Sequence, residues 1–108
     1  MIARLWHGWT TPENADAYER VVRDEILPRI GGMVESGGFR GAYVLRRDVP
    51  EGVEFVTFLL FDSIDAVKDF AGEDYERAYV PPEGERLLSR YERRAAHFET
   101  VVEPARDV

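Results

Sequence analysis

The 108-residue chain has the length of one domain, 1–108, and folding a chain of this size buries roughly two-thirds of its surface, enough for one core. Hydrophobic residues make up 44% and charged residues 32%, which argues against disorder, and the absence of cysteine excludes disulfides, thiol nucleophiles and Cys-ligated zinc or iron–sulfur centres. A net charge of −7 offers no grip on a phosphate backbone, so no nucleic-acid partner is expected. No apolar run approaches the ~20 residues of a membrane span and the first residues lack a signal-peptide pattern, so no membrane association is expected and the cytoplasm is the expected compartment.

Ile2–Thr10 reads as a strand, rich in large apolar residues, and Thr11-Pro12 starts a helix as N-cap and first-turn proline. Ala15, Tyr18, Val22 and Ile26 then recur at helical spacing, with charges on the opposite face. Pro28 is expected to interrupt or kink this helix, with a further turn over 29–35 ended by Gly37-Gly38. Phe39–Arg47 and Val53–Phe61 read as the two strands of an antiparallel hairpin around Val49-Pro50-Glu51-Gly52. Asp62 or Ser63 caps a helix over Ile64–Ala71. A less regular stretch holds Tyr75, Tyr79 and Pro81-Pro82. It is followed by a short helix expected around Glu83–Tyr91, a last strand over Arg94–Val102, and a frayed tail from Glu103 to Val108.

This order, β-α-β-β-α-(α)-β, predicts an α+β ferredoxin-like β-α-β-β-α-β sandwich: a four-stranded antiparallel sheet with the first strand central and both helices on one face. Phe39, Tyr43, Val44, Val56, Phe58 and Leu60 put apolar side chains on both faces of the hairpin. One layer of helices covers one face, so a second copy packed sheet to sheet is the expected cover of the other, and a homodimer is predicted.

The segments ARLWHGWT, LPRI, GFRGAYVLRR, EFVTFLLFDSIDAVKDFAGEDYERAYVPPE and the terminal HFE resemble the antibiotic biosynthesis monooxygenase-like (ABM) family over about Ala3 to Val102. That resemblance implies the dimeric α/β barrel, in which two ferredoxin-like sheets close on each other, and a small-molecule pocket between sheet and helices. It further implies cofactor-independent oxidation of small aromatic or quinol-type molecules. Its haem-degrading branch uses an Asn on the first strand, a Trp on the second helix and a haem-ligating His just after it. The matching positions here hold His7, Phe70 and Val80, so no cofactor is expected.

The residues themselves leave few chemical candidates. His97 and Glu99 form an H-x-E, but strand residues two apart share a face by default, and a structural hydrogen bond or ion pair explains the pair better than a metal. Ser36, Ser63 and Ser89 lack a nucleophile elbow, and no glycine-rich nucleotide motif is present. Antiparallel pairing of the first and last strands favours a register with Ala3 opposite Thr100, Leu5 opposite Phe98 and His7 opposite Ala96, and with Arg4 opposite Glu99 and Trp6 opposite His97. Leu5, His7, Trp9 and Phe98 then share one face, which the resemblance makes the pocket face. His7 becomes the candidate catalytic base, or a donor to a phenolic or quinone oxygen, or else a core histidine satisfied by backbone. Arg4, Trp6, His97 and Glu99 become candidate dimer-interface residues. Tyr75 and Tyr79 are candidate pocket residues in a lid, or aromatic plugs at the core edge. Arg46, Arg47, Arg93 and Arg94 read as solvated surface. Three functions compete: an ABM-type oxygenase, a non-catalytic small-molecule-binding or stress-associated dimer, and a proton-transfer isomerase or lyase.

Overall fold

The computed structural model describes residues 1–35 and 37–104; Ser36 and the last four residues of the expected frayed tail lie outside the described residues. Strand β1 is Ile2–Thr10. The Thr11 hydroxyl accepts the Asn14 N–H at 3.2 Å and Pro12 opens helix α1, Pro12–Val21. The helix then runs on through a wide turn, Val22–Ile26, into α2, Leu27–Met33. Pro28 therefore neither ends nor breaks it. A proline has no N–H and crowds the carbonyl four residues back. In the turn just before it the Leu27 N–H reaches the Val22 carbonyl, five residues back, and this π-type widening accommodates the ring.

β2, Phe39–Val49, and β3, Gly52–Phe61, form the expected hairpin, with β2 two residues longer than predicted and Pro50-Glu51 as the turn. Helix α3 spans Ile64–Ala71, where the sequence places it, with the Ser63 hydroxyl accepting the Ala66 N–H at 3.2 Å. The helix expected over Glu83–Tyr91 is corrected: α4 is one turn, Pro82–Glu85, and Leu88–Tyr91 is strand β4. The last strand is also shorter than expected, β5 being Ala96–Glu99.

The sheet is antiparallel in the order β2-β3-β1, and the outer side of β1 is shared by two short strands. β4 pairs with Gly8–Thr10 and β5 with Ile2–Leu5. Between them the chain leaves β1: the Ala78 N–H donates to the Arg93 carbonyl at 2.9 Å and the Ala95 N–H to the Glu76 carbonyl at 2.6 Å. The ferredoxin-like arrangement is thus kept, with its fourth strand in two pieces.

The helices cover one face. Tyr18, Val22, Ile26 and Ile30 pack against Phe55, Leu59 and Phe61 of β3 and against Val67 and Phe70 of α3. The opposite face has no cover within the chain, and Tyr43, Leu45 and Phe98 on it are about half exposed. No helix among the described residues is long and apolar enough to cross a membrane.

Candidate functional site

Alternation along β1 sorts its side chains into two sets. Arg4, Trp6 and Thr10 are buried beneath the helices, with Phe55, Thr57 and Leu59 of β3 beside them. Ala3, Leu5, His7 and Trp9 point to the uncovered face, as do Glu54, Val56 and Phe58. The sequence grouping of Leu5, His7, Trp9 and Phe98 holds, but these residues lie on the open face and not in the pocket. Arg4, Trp6 and His97, expected at a dimer interface, belong to the helix-covered side, and Glu99 is exposed on β5 opposite Ile2. The β1–β5 register is also corrected. Ala3 faces Phe98, Arg4 faces His97 and Leu5 faces Ala96, two residues away from the predicted pairing. A two-residue slip preserves faces, which is why the grouping survived. Alternation says which residues travel together, and the placing of α1 and α3 decides which set they cover.

A narrow cavity of about 40 Å³ lies between sheet and helices. Arg4, Trp6 and Thr57 form its floor, Phe70 one wall, Val22 and Leu27 the helical wall, and Tyr79, Val80 and Pro81 its cover. Phe70 and Val80, which the resemblance matches to the Trp and His of the haem-degrading branch, both line it. On the far side of Val22 and Leu27 lies a second hollow of about 310 Å³, bounded by β2 and by Arg46, which is ion-paired to Asp16 and Glu19.

Arg4 dominates the polar end. It is 3% exposed and donates from Nη1 to the Tyr75 carbonyl and from Nη2 to the Arg77 carbonyl at 2.8 Å. Its Nη1 also stands 3.1 Å from His97 Nε2, and its guanidinium carbon sits 5.0 Å from the centre of the Phe70 ring. No carboxylate pairs with it among the described residues, and burial lowers its pKa to about 10. An arginine only donates, so His97 Nε2 is an acceptor and the ring proton of the neutral imidazole resides on Nδ1. That Nδ1 is buried and has no partner among the described residues. Burial, then the Arg4 charge, pushes the His97 pKa down, against a weaker opposite pull from Glu76.

Trp6 is fixed by its indole N–H, which donates to the Glu92 carbonyl at 2.7 Å, where the chain turns away from β1. Burial holds the Tyr18 hydroxyl protonated far above its usual range. Of the two tyrosines expected in a lid, Tyr79 lines the cavity; Tyr75 instead contributes its carbonyl to Arg4 and packs its ring edge-on to His97 at 5.1 Å. Sequence reasoning missed Arg4, Trp6 and Thr57 as pocket residues. The usable signal was Glu54: a carboxylate within the most hydrophobic strand marks the even positions of β3 as the open side, and antiparallel pairing carries His7 and Trp9 with it.

On the open face His7 Nδ1 is 3.0 Å from Glu54 Oε2, and Arg47 Nε is 2.5 Å from Glu54 Oε1. Glu54 is 6% exposed, and the Arg47 hydrogen bond, then that of His7, keeps its pKa below the usual carboxylate range. Arg90 stacks 3.6 Å over the Trp9 ring and grips Glu51 with two hydrogen bonds of 2.8 and 2.9 Å. Arg46 and Arg94 are ion-paired as well, so these cations are compensated surface charges. Among the described residues no cluster of three histidines or carboxylates is arranged to hold a metal ion.

The chain has the fold of antibiotic biosynthesis monooxygenase-like proteins. It is similar to a mutant of MhuD, solved with two manganese protoporphyrin IX molecules per active site, at 17% identity and a TM-score of 0.63, over 97% of this chain and 99% of that one. It is similar to a Bacillus cereus protein described as a candidate antibiotic biosynthesis monooxygenase, at 18% identity and a TM-score of 0.61, over 97% and 95% of the two chains. A third likeness, at 14% identity and a TM-score of 0.56 over 96% and 92%, is to the Streptomyces coelicolor monooxygenase ActVA-Orf6, solved with nanaomycin D. No family model matches the sequence, and no curated protein matches it.

Proposed function

We propose that the chain is a homodimeric, ABM-type monooxygenase-like protein that takes a small aromatic or quinol-type molecule between its sheet and its helices. The observation that carries this reading is the aromatic-walled cavity over Arg4, Trp6 and Thr57, in a fold shared with monooxygenases. An electron-rich ring supplies the electrons that reduce oxygen, so the protein's tasks are to exclude water and to orient the ring. At about 40 Å³ the cavity has room for water but not for a ring, since an apolar cavity that binds benzene measures about 150 Å³. Admission of a ligand requires Val22 and Leu27, or the Tyr79–Pro81 cover, to move aside. The second copy covers the half-exposed Tyr43, Leu45 and Phe98.

One observation favours a non-catalytic binding dimer. Among the described residues no histidine or carboxylate lines the cavity, so they offer it no ordinary general base. The same observation counts against an isomerase or lyase, and against haem held by an imidazole: His7 is on the other face and His97 Nε2 is occupied by Arg4.

Native mass spectrometry of protein taken directly from its source tests the reading. A small-molecule adduct on each subunit of a dimer is expected, with oxygen uptake when a naphthohydroquinone is supplied. Ligand-free protein that neither binds nor oxidises hydroquinones overturns it. An adduct without oxygen uptake establishes the binding dimer instead.

A further inference from the structure

We propose that the ligand of this cavity carries an anionic oxygen on an aromatic ring, a carboxylate or a phenolate, and that Arg4 is the residue that receives it. This rests on the pocket assigned above and names the class of ligand it selects.

The first support is charge. Arg4 is the one ionisable cation among the residues lining the cavity, and no acid lines it. A guanidinium 3% exposed would ordinarily be matched by a carboxylate, because an uncompensated buried charge is costly. Among the described residues, Arg4's contacts are to neutral groups: two backbone carbonyls, the acceptor nitrogen of His97 and the face of Phe70. Exposed arginines such as Arg40, Arg46, Arg47, Arg90 and Arg94 hold carboxylates, and those that hold none keep their charge in water, which Arg4 does not. A net negative chain leaves its most buried arginine without an acidic partner among the described residues.

The second support is geometry. Three of the five N–H groups of a guanidinium are committed, to Tyr75, Arg77 and His97. These bonds fix the plane of the group and leave two N–H donors for an oxygen. The three acceptors are neutral, so they orient the cation without neutralising it. His97 serves as a positioning residue: only its neutral form can accept from Arg4. The Phe70 ring beside the guanidinium, and the Trp6 ring elsewhere in the cavity lining, suit an arene bearing the anion.

The third support is the missing base. A ligand that arrives already ionised needs no proton acceptor from the protein, and the cavity supplies none.

The test is calorimetric titration of the full chain at pH 7.5 with 2-naphthoate and with its neutral counterpart 2-naphthamide, repeated with Arg4→Gln and Arg4→Lys. The wild type should bind the acid roughly ten- to a hundredfold more tightly than the amide, as expected for hydrogen bonds to a charged group. Arg4→Gln should bring the two to parity with the amide affinity retained, and Arg4→Lys should keep part of the preference. Equal wild-type affinity for acid and amide overturns the anion assignment while leaving the pocket intact. Binding of neither overturns the pocket reading and this inference with it. The wild-type comparison stands even if a variant fails to fold.

Discussion

Arg4 on β1 and His97 on β5 are cross-strand partners whose polar atoms meet at 3.1 Å beneath the helices, with the arginine donating and the imidazole accepting. The contact requires a neutral ring, since a protonated imidazole has no acceptor and would add a second cation beside the first.

This couples stability to pH with a definite sign. Folding lowers the His97 pKa, so the unfolded chain binds more protons in the range below about 6.5. The His97 contribution is complete above that value and is lost as pH falls through the interval down to the lowered folded value. Melting temperature should therefore drop between pH 7 and pH 5.5, and His97→Gln should flatten that part of the profile. A profile unchanged by the substitution would refute the coupling. Glu54, Asp62 and Asp74, whose pKa values their arginine partners lower, should add a separate loss in the carboxylate range in both proteins.

The uncovered face predicts self-association. Light scattering should give twice the 12.4 kDa of the chain, with roughly 2,000 Å² or more buried as in obligate dimers. Leu45→Glu, placed on that face, should give a species of single-chain mass with an unchanged circular dichroism spectrum. A wild-type mass of 12.4 kDa at micromolar concentration would count decisively against the dimer.

Phe61 is fully buried, with Phe39 at 5.4 Å and Phe70 stacked at 5.6 Å between ring centres. Phe61→Ala should cost about 3–5 kcal/mol in urea unfolding, the range for removing a core aromatic ring. The loss should be visible as a lower midpoint at unchanged slope.

Two glycines with positive φ separate strain from collision. At Gly41, φ is +114° and an added methyl meets nothing within 4 Å; at Gly52, φ is +138° and the methyl would stand 2.3 Å from the Thr10 carbonyl oxygen. Gly41→Ala should destabilise through backbone strain alone, by roughly 1 kcal/mol, and Gly52→Ala by clearly more. Equal midpoints for the two variants would contradict the close approach of hairpin and β1 end.

Local chemistry made much of this fold legible. Thr11-Pro12 and Ser63 cap helices at the positions their residue types dictate, and the α3 bounds follow from its apolar spacing. What escaped depends on contacts distant in sequence. Leu88–Tyr91 is a strand only because β1 lends it partners, and four residues carry no periodicity of their own. The π turn before Pro28 looks like any amphipathic stretch until the chain is folded. The site suffered most, because the faces of β1 can be sorted by counting while the choice between them cannot. His7 drew attention on chemical grounds, whereas the buried cation on the opposite face of the same strand, Arg4, read as an interface charge until two backbone carbonyls accounted for its burial.

The departure of residues 93–95 from β1 bears on how the molecule avoids its own kind of error. A continuous fourth strand would present one long row of free amides and carbonyls, a template for a stranger's strand. Here that row is cut into two four-residue pieces, and the gap is stopped by the bridge between Arg77 and Arg94. Short, charged, interrupted margins are poor seeds for edge-to-edge polymerisation. Any change that straightened this segment against β1 would trade its bonds to residues 76–78 for an exposed aggregation edge.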